Sequence, residues 1–239
     1  MSRMWIVVPA AGAGSRYGSG RPKQYEDLAG APMLQRSLER LAALDSSPIV
    51  VALAPDDAEF ERVVARQPGV EALRCGGETR AATVRNTLAA LVPRCGERDW
   101  VLVHDAARPC VPRDALRRLV DVVGDDPVGG LLALPLGDTL KRADASPDAP
   151  RVLRTEDRRS LWLAQTPQMF RYGILAQALR LDAAGEATDE AQAVEMLAAT
   201  GACAMPRLVS GSAANLKVTW PGDLALAAKI LESQDEGEA

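Results

Sequence analysis

Residues 7–24 read Val-Val-Pro-Ala-Ala-Gly-Ala-Gly-Ser-Arg-Tyr-Gly-Ser-Gly-Arg-Pro-Lys-Gln, so that Gly12, Gly14, Gly18 and Gly20 share one loop with the cations Arg16, Arg21 and Lys23. Residues without Cβ atoms let several backbone N–H groups turn toward one bound group and approach it closely. Cations in the same loop neutralise that group, and the combination is chemistry for a polyphosphate. The loop follows a short apolar strand, Trp5–Val8, that breaks at Pro9. It is neither of two common phosphate motifs. The dinucleotide fingerprint needs G-x-G-x-x-G opening a helix, whereas Gly12, Gly14 and Gly18 are spaced one residue too widely and Pro22 interrupts a helix. The Gly-Lys-Ser/Thr ending of an ATPase P-loop is absent.

Further strings follow other elements. Gly76-Gly77-Glu78-Thr79-Arg80, with Thr83 one turn on, reads as a two-glycine turn before a helix. His104-Asp105-Ala106-Ala107-Arg108-Pro109 follows an apolar run; its lone histidine reads as a core residue. A carboxylate at a strand end beside a polyphosphate, as Asp105 is placed, suits Mg2+, which takes few carboxylates plus phosphate oxygens. Thr188-Asp189-Glu190 reads as a helix start with Thr188 as its cap. Lys217, in Asn215-Leu216-Lys217-Val218-Thr219, and Arg158 would each pass for a surface charge on pattern alone.

The elements that must position these residues are legible from periodicity. Ile49–Leu53, Trp100–Val103 and Gly129–Pro135 are continuous apolar runs, as strands buried on both faces require, with Val70–Arg74 weaker. Leu34, Leu38 and Leu41 mark one helix face; Val84, Leu88 and Leu91 mark a second; Leu116, Leu119, Val120 and Val123 mark a third. Asp56 is expected to cap a short helix toward Arg66. Gln165–Gln168 is expected to open a helix over Tyr172–Leu181, and Pro221 to start the last one. Residues 233–239 are expected to form a disordered acidic tail. Alternating strands and helices imply an α/β fold with a mainly parallel, three-layer sheet, whose ligands bind beyond the carboxyl ends of its strands. Between about residues 137 and 162 the periodicity fails, which marks a functional excursion from the domain.

A chain of 239 residues with 47% hydrophobic and 25% charged residues is expected to form a single globular domain. Its net charge of −4 argues against a broad nucleic-acid-binding face. The four cysteines lack C-x-x-C spacing and have one histidine for company, which argues against zinc and for reduced thiols in the cytoplasm. No leader and no apolar run long enough to cross a bilayer is evident, so no membrane association is expected.

The order and wording of these strings resemble the 2-C-methyl-D-erythritol 4-phosphate cytidylyltransferase family of isoprenoid biosynthesis. Pro9–Arg16 with Pro22–Gln24 resemble its P-A-A-G-x-G-x-R and P-K-Q opening, Val103–Pro109 its V-H-D-A-A-R-P, and 188–191 and 215–219 its T-D-E-A and N-x-K-V-T. The resemblance runs from Val7 to Ile230. It implies a Rossmann-like nucleotidyltransferase fold with a protruding β-arm, about 137–162, that joins a homodimer. It also implies CMP transfer from CTP to an alditol phosphate with release of pyrophosphate. By resemblance, Pro9, Ala10, Ala11, Gly12, Ala13, Gly14, Gly77, Glu78, Thr83 and Ala106 bind the nucleotide, while Arg16, Lys23 and Lys217 act on the reacting phosphates. Asp105 holds Mg2+ and contacts substrate. Thr139, Arg158 and Thr188 hold the acceptor's phosphate, Thr166 helps to fix the acceptor, and Arg108 reaches a neighbouring subunit's site. Ribitol-5-phosphate cytidylyltransferases share most of these strings, and a CTP-binding regulator without catalysis is the reading from another class.

Overall fold

Burial alternating along the first strand organises the molecule. In β1 (Met4–Pro9), Ile6 and Val8 face one apolar cluster while Trp5 and Val7 face another. The computed structural model describes residues 2–12, 22–44, 47–146, 148–182 and 185–238, so Ala13, Gly14, Arg16, Gly18, Gly20 and Arg21 lie outside the described residues.

A small hairpin, β2 (Asp27–Leu28) with β3 (Ala31–Pro32), leads into α1 (Met33–Leu41), followed by β4 (Ile49–Ala52), α2 (Phe60–Val63) and β5 (Val70–Leu73). Then come α3 (Arg80–Leu91), β6 (Trp100–Val103), α4 (Arg113–Val123) and β7 (Gly129–Pro135). After an excursion formed by β8 (Lys141–Ala143) and β9 (Val152–Thr155), the chain returns as β10 (Trp162–Arg171) and closes with α5 (Tyr172–Leu181), α6 (Glu190–Ala199), β11 (Arg207–Ser210) and α7 (Asp223–Glu238).

Seven strands form one sheet in the order β11-β7-β10-β6-β1-β4-β5. All neighbours are parallel except β10, which runs antiparallel to both β6 and β7. Helices α1 and α4 cover one face through Leu34, Leu38, Leu116 and Leu119; α3, α5 and α6 cover the other through Val84, Leu88, Leu175 and Val194. Each such leucine or valine contributes about 1.5–3 kcal/mol by leaving water. The three-layer α/β fold is therefore the observed one. A third cluster joins Leu28, Met33, Cys110 and Val218 to α7 through Ala227 and Leu231.

The topology also selects a crevice. The chain steps outward from β1 to β4 and β5, then returns to place β6 on β1's other side. Between β1 and β6 the direction of winding reverses, and in open α/β sheets ligands bind at the carboxyl end of such a reversal.

Several local expectations are corrected. Gln165–Gln168 does not open α5; it lies inside β10, whose register against β7 shifts between Ala164 and Gln168. The pattern was obscured because Pro167 cannot donate to the ladder and sits in that irregular stretch. Asp57, rather than Asp56, accepts from the N–H groups of Glu59 and Phe60, and α2 spans only Phe60–Val63. Asp189, rather than Thr188, caps α6 by accepting from Gln192 N–H. The acidic end is not an open tail, since α7 continues to Glu238. The edge strand β11 was not foreseen.

The excursion is a two-stranded arm whose β8 and β9 side chains are exposed throughout, including Val152 at 65% and Leu153 at 61%. Among the described residues, no helix is long and apolar enough to cross a membrane.

Candidate active site

A cleft of about 460 Å³ opens at the β1/β6 reversal. Pro9, Ala10, Ala11 and Gly12 line it from the end of β1, Asp105, Ala106 and Ala107 from the end of β6, and Gly77–Arg80 with Thr83 from the turn into α3. Lys23 and Lys217 complete it. Eleven residues singled out from sequence thus meet in one place: Pro9, Ala10, Ala11, Gly12, Lys23, Gly77, Glu78, Thr83, Asp105, Ala106 and Lys217.

Close packing shapes the glycine turn. A Cβ on Gly76 would strike the Ala11 side chain and lie 2.7 Å from the Leu53 carbonyl, and one on Gly77 would lie 2.6 Å from Ala82 Cβ. Gly76→Ala is therefore expected to cost about 1–3 kcal/mol, the usual range for overpacking. A chemical denaturation midpoint checks it, and an unchanged midpoint would show that the turn can shift. The turn is closed by Thr83, whose hydroxyl accepts from Gly77 N–H at 3.0 Å and donates to the Thr79 carbonyl at 3.0 Å. Thr79 caps α3 by accepting from Ala82 N–H at 3.0 Å, and this capped helix start borders the cleft. Helix N-termini attract anions.

Asp105 is the electrostatic centre. Arg80 Nε donates to Oδ1 at 2.8 Å, and Lys217 Nζ pairs with Oδ2 at 2.7 Å. Burial opposes ionisation of this carboxyl, but the two cations outweigh it and hold it well below the usual carboxylate range. Arg80 also reaches buried Glu190, Nη1 to Oε1 at 2.7 Å. Burial raises the Glu190 carboxyl despite that partner. Lys23 Nζ donates to the Val218 carbonyl at 2.6 Å, while Val218 N–H donates to the Ala107 carbonyl at 2.8 Å. Both lysines are thereby anchored to the stretch that also carries Asp105.

Behind Asp105 lies a buried polar network. The Thr166 hydroxyl accepts from Asp105 N–H at 3.0 Å and meets His104 Nδ1 at 3.2 Å. Asn215 Nδ2 donates to the Thr166 carbonyl at 2.7 Å, and Arg108 Nη1 donates to the Asn215 carbonyl at 2.6 Å. Thr166→Val keeps the shape but strands the Asp105 N–H, which is expected to cost about 1–3 kcal/mol. A denaturation midpoint equal to that of the unaltered chain would show that the hydroxyl does not hold Asp105.

His104 is fully buried, as its reading as a core residue requires, and burial lowers its pKa to about 4. Unfolded histidine titrates near 6.5, so between those values the unfolded chain binds the extra proton. The contribution is complete above about pH 6.5 and lost as pH falls through about 4, and it amounts to about 3 kcal/mol. Melting temperatures between pH 7 and 4 should fall less in His104→Gln than in the unaltered chain.

Five other sequence-derived residues stand outside the cleft lining. Thr139 and Arg158 are exposed on the arm segment. Thr188 is exposed, with its N–H and hydroxyl both on Gln192 Oε1. Thr166 and Arg108 are held in the network just described. Conversely, Gln24, Met33, Thr79, Arg80 and Ala107 line the cleft without having been singled out. Arg80 could have been found, because it is the one cation of the string Gly76–Arg80.

Comparison with known proteins identifies the chain's relatives. A family model described as "IspD: 2-C-methyl-D-erythritol 4-phosphate cytidylyltransferase" matches residues 4–233. A protein of that name from Laribacter hongkongensis is 53% identical, with all of each chain covered. One from Dechloromonas aromatica is 50% identical, covering 98% of this chain and 100% of the relative. Among solved structures, a "4-diphosphocytidyl-2C-methyl-D-erythritol synthase" superposes with a TM-score of 0.82 at 38% identity, over 97% of this chain and 99% of the other.

Proposed function

From the premise that the chain belongs to the 2-C-methyl-D-erythritol 4-phosphate cytidylyltransferase family, we propose that the β1/β6 cleft performs the family's reaction. CTP and 2-C-methyl-D-erythritol 4-phosphate give 4-diphosphocytidyl-2-C-methyl-D-erythritol and pyrophosphate, a step of isoprenoid precursor synthesis. One observation carries the reading: Lys23, Lys217 and the glycine turns converge with Asp105 on a single cleft.

The residues suit the chemistry. A phosphate monoester has its second pKa near 6, so the acceptor is already a nucleophilic dianion at neutral pH and needs no catalytic base. Its oxygen attacks the α-phosphorus of CTP and pyrophosphate leaves. The protein's work is to hold two polyanions together and offset the charge that develops on them. Lys23 and Lys217 supply that charge from the cleft lining, with Arg16, outside the described residues, assigned to join them. The backbone of Ala10–Gly12 and the Gly76–Gly77 turn border the nucleotide, with Glu78, Thr83 and Ala106 beside them.

Mg2+ fits this donor set. Among the described residues no three His, Cys, Asp or Glu side chains gather as a metal site, but Mg2+ needs only one or two carboxylates when phosphates supply further oxygens. Asp105, ionised and bordering the cleft, would hold it, and the bound ion would offset charge on the triphosphate. Thr139, Arg158 and Thr188, being exposed, are assigned to the acceptor's phosphate. Thr166 and Arg108 are assigned first to holding Asp105 and Asn215. Exposed Val152 and Leu153 on the arm favour a homodimer, in which Arg108 serves a second copy only by leaving the Asn215 carbonyl. The free thiols of Cys75, Cys95, Cys110 and Cys203 suit the cytoplasm.

Pyrophosphate release from CTP and Mg2+ with either 2-C-methyl-D-erythritol 4-phosphate or ribitol 5-phosphate tests the assignment. Release with the first acceptor alone is expected. Release with the second alone would move the chain to polyol activation, and CTP binding without release would make it a regulator.

A further inference from the structure

Glu190 lies outside the cleft lining yet is 1% exposed and paired with Arg80, which lines it. Its direction is set by the sheet. Gln168 of β10 clamps both neighbours, donating through Nε2 to Asp189 Oδ2 at 2.9 Å and accepting at Oε1 from Ala191 N–H at 2.8 Å. From that fixed point Glu190 holds Arg80 at 2.7 Å, and Arg80 holds Asp105 Oδ1 at 2.8 Å. Glu190 Oε2 and Arg80 Nη2 are buried without a hydrogen-bond partner among the described residues.

Each oxygen of Asp105 thus carries one cation, and a divalent ion sharing either oxygen would be repelled by that cation, so it enters most favourably where the resident cation can leave. The two partners are unequal. Withdrawing Arg80 would strand the buried Glu190 carboxylate and leave Asp105 with Lys217 alone, a costly arrangement. Lys217 has a side chain 42% exposed and reaches Asp105 through one ammonium, so it can swing away into water or onto phosphate. We propose that Glu190 is a positioning residue for the transfer reaction. Acting through Arg80, it keeps Oδ1 occupied, so that loading the cleft is an exchange at Oδ2 alone, with Lys217 as the outgoing cation. The released ammonium is then the one that meets the phosphates. The proposal rests on the reading of Asp105 as the ligand of the divalent cation.

The role of the Glu190 charge follows from the shape of guanidinium. A fork pulled toward Glu190 presents Nε to one oxygen of Asp105. A fork without that pull is free to close on both oxygens side by side, the favoured arginine–carboxylate geometry. Glu190 therefore protects the exchangeable oxygen from Arg80.

The test is binding of Mn2+ in the presence of CTP and without acceptor, read from the electron paramagnetic resonance signal of free Mn2+, with melting temperatures to check the fold. Glu190→Gln should weaken Mn2+ binding about tenfold, the low end of what outer partners of a metal ligand contribute. Adding Arg80→Gln should restore it, because the competitor for Oδ2 is gone. A purely structural role predicts a double variant no better than the single one. Should Glu190→Gln not fold, Glu190→Asp, whose shorter carboxylate falls short of Arg80, is read the same way. Unchanged Mn2+ binding in the single variant, or no recovery in the double, overturns the proposal. Asp105→Asn separates the two levels. If it binds Mn2+ like the unaltered chain, the reading of Asp105 itself fails; if it loses Mn2+ while Glu190→Gln does not, only the role of Glu190 fails.

Discussion

Lys217→Ala will yield a folded protein that transfers CMP about 10²–10³-fold more slowly, the usual cost of removing one group that stabilises charge developing in a transition state. The fold is expected to survive. Lys217 is half-exposed, and Asp105, its partner, keeps Arg80. The stretch around it remains fixed by Asn215, whose Nδ2 donates to the Thr166 carbonyl, and by Val218, whose N–H donates to the Ala107 carbonyl. Single-turnover release of pyrophosphate, beside a melting curve, reads both parts of the expectation. A rate near that of the unaltered chain would remove Lys217 from the reaction.

Lys23→Ala should lose at least as much rate, with a different signature. Lys23 follows the glycine loop, and its ammonium donates to the Val218 carbonyl, bridging the nucleotide side of the cleft to the Lys217 stretch. On the proposed assignment its removal takes a cation from the triphosphate, and it also deprives the Val218 carbonyl beside Lys217 of its donor. Affinity for CTP should therefore weaken together with turnover, whereas Lys217→Ala should act mainly on turnover. Isothermal titration with CTP alone distinguishes them. CTP affinity left intact in Lys23→Ala would place that lysine with the acceptor instead.

How much of this was legible before the fold was seen depends on what each residue does. β1, β4, β6 and β7 announce themselves because strands buried on both faces must be apolar at every position. The cleft residues beyond β1 and β6 were legible for a related reason, since each string follows such a strand. β10 was not, because Pro167 and the polar residues around it break the pattern where the strand itself is irregular. Nor was β11, whose Arg207, Leu208 and Ser210 are exposed on a sheet edge and carry no apolar run. The Arg80–Glu190 pair stayed hidden because a buried charge and a solvated one are the same letter. Only the fold, by bringing residues 80, 105 and 190 together, reveals which it is. Thr166 shows the opposite case: its string was singled out, but the structure places its hydroxyl behind Asp105 rather than in the cleft.

The antiparallel strand β10 also governs the order in which the molecule can be made. The ribosome delivers β6 and then β7, yet these two are never neighbours; residues 162–171 must emerge and slide between them. Until then each presents an unpaired edge, the kind that recruits other chains. A nascent chain halted at the arm already carries Lys23, Gly77 and Asp105, but not the Thr166 hydroxyl that holds the Asp105 backbone, nor Asn215 and Lys217 beyond it. On the proposed assignment the growing polypeptide thus carries several of its working groups well before it has a place to use them, with the edges of β6 and β7 open across that interval.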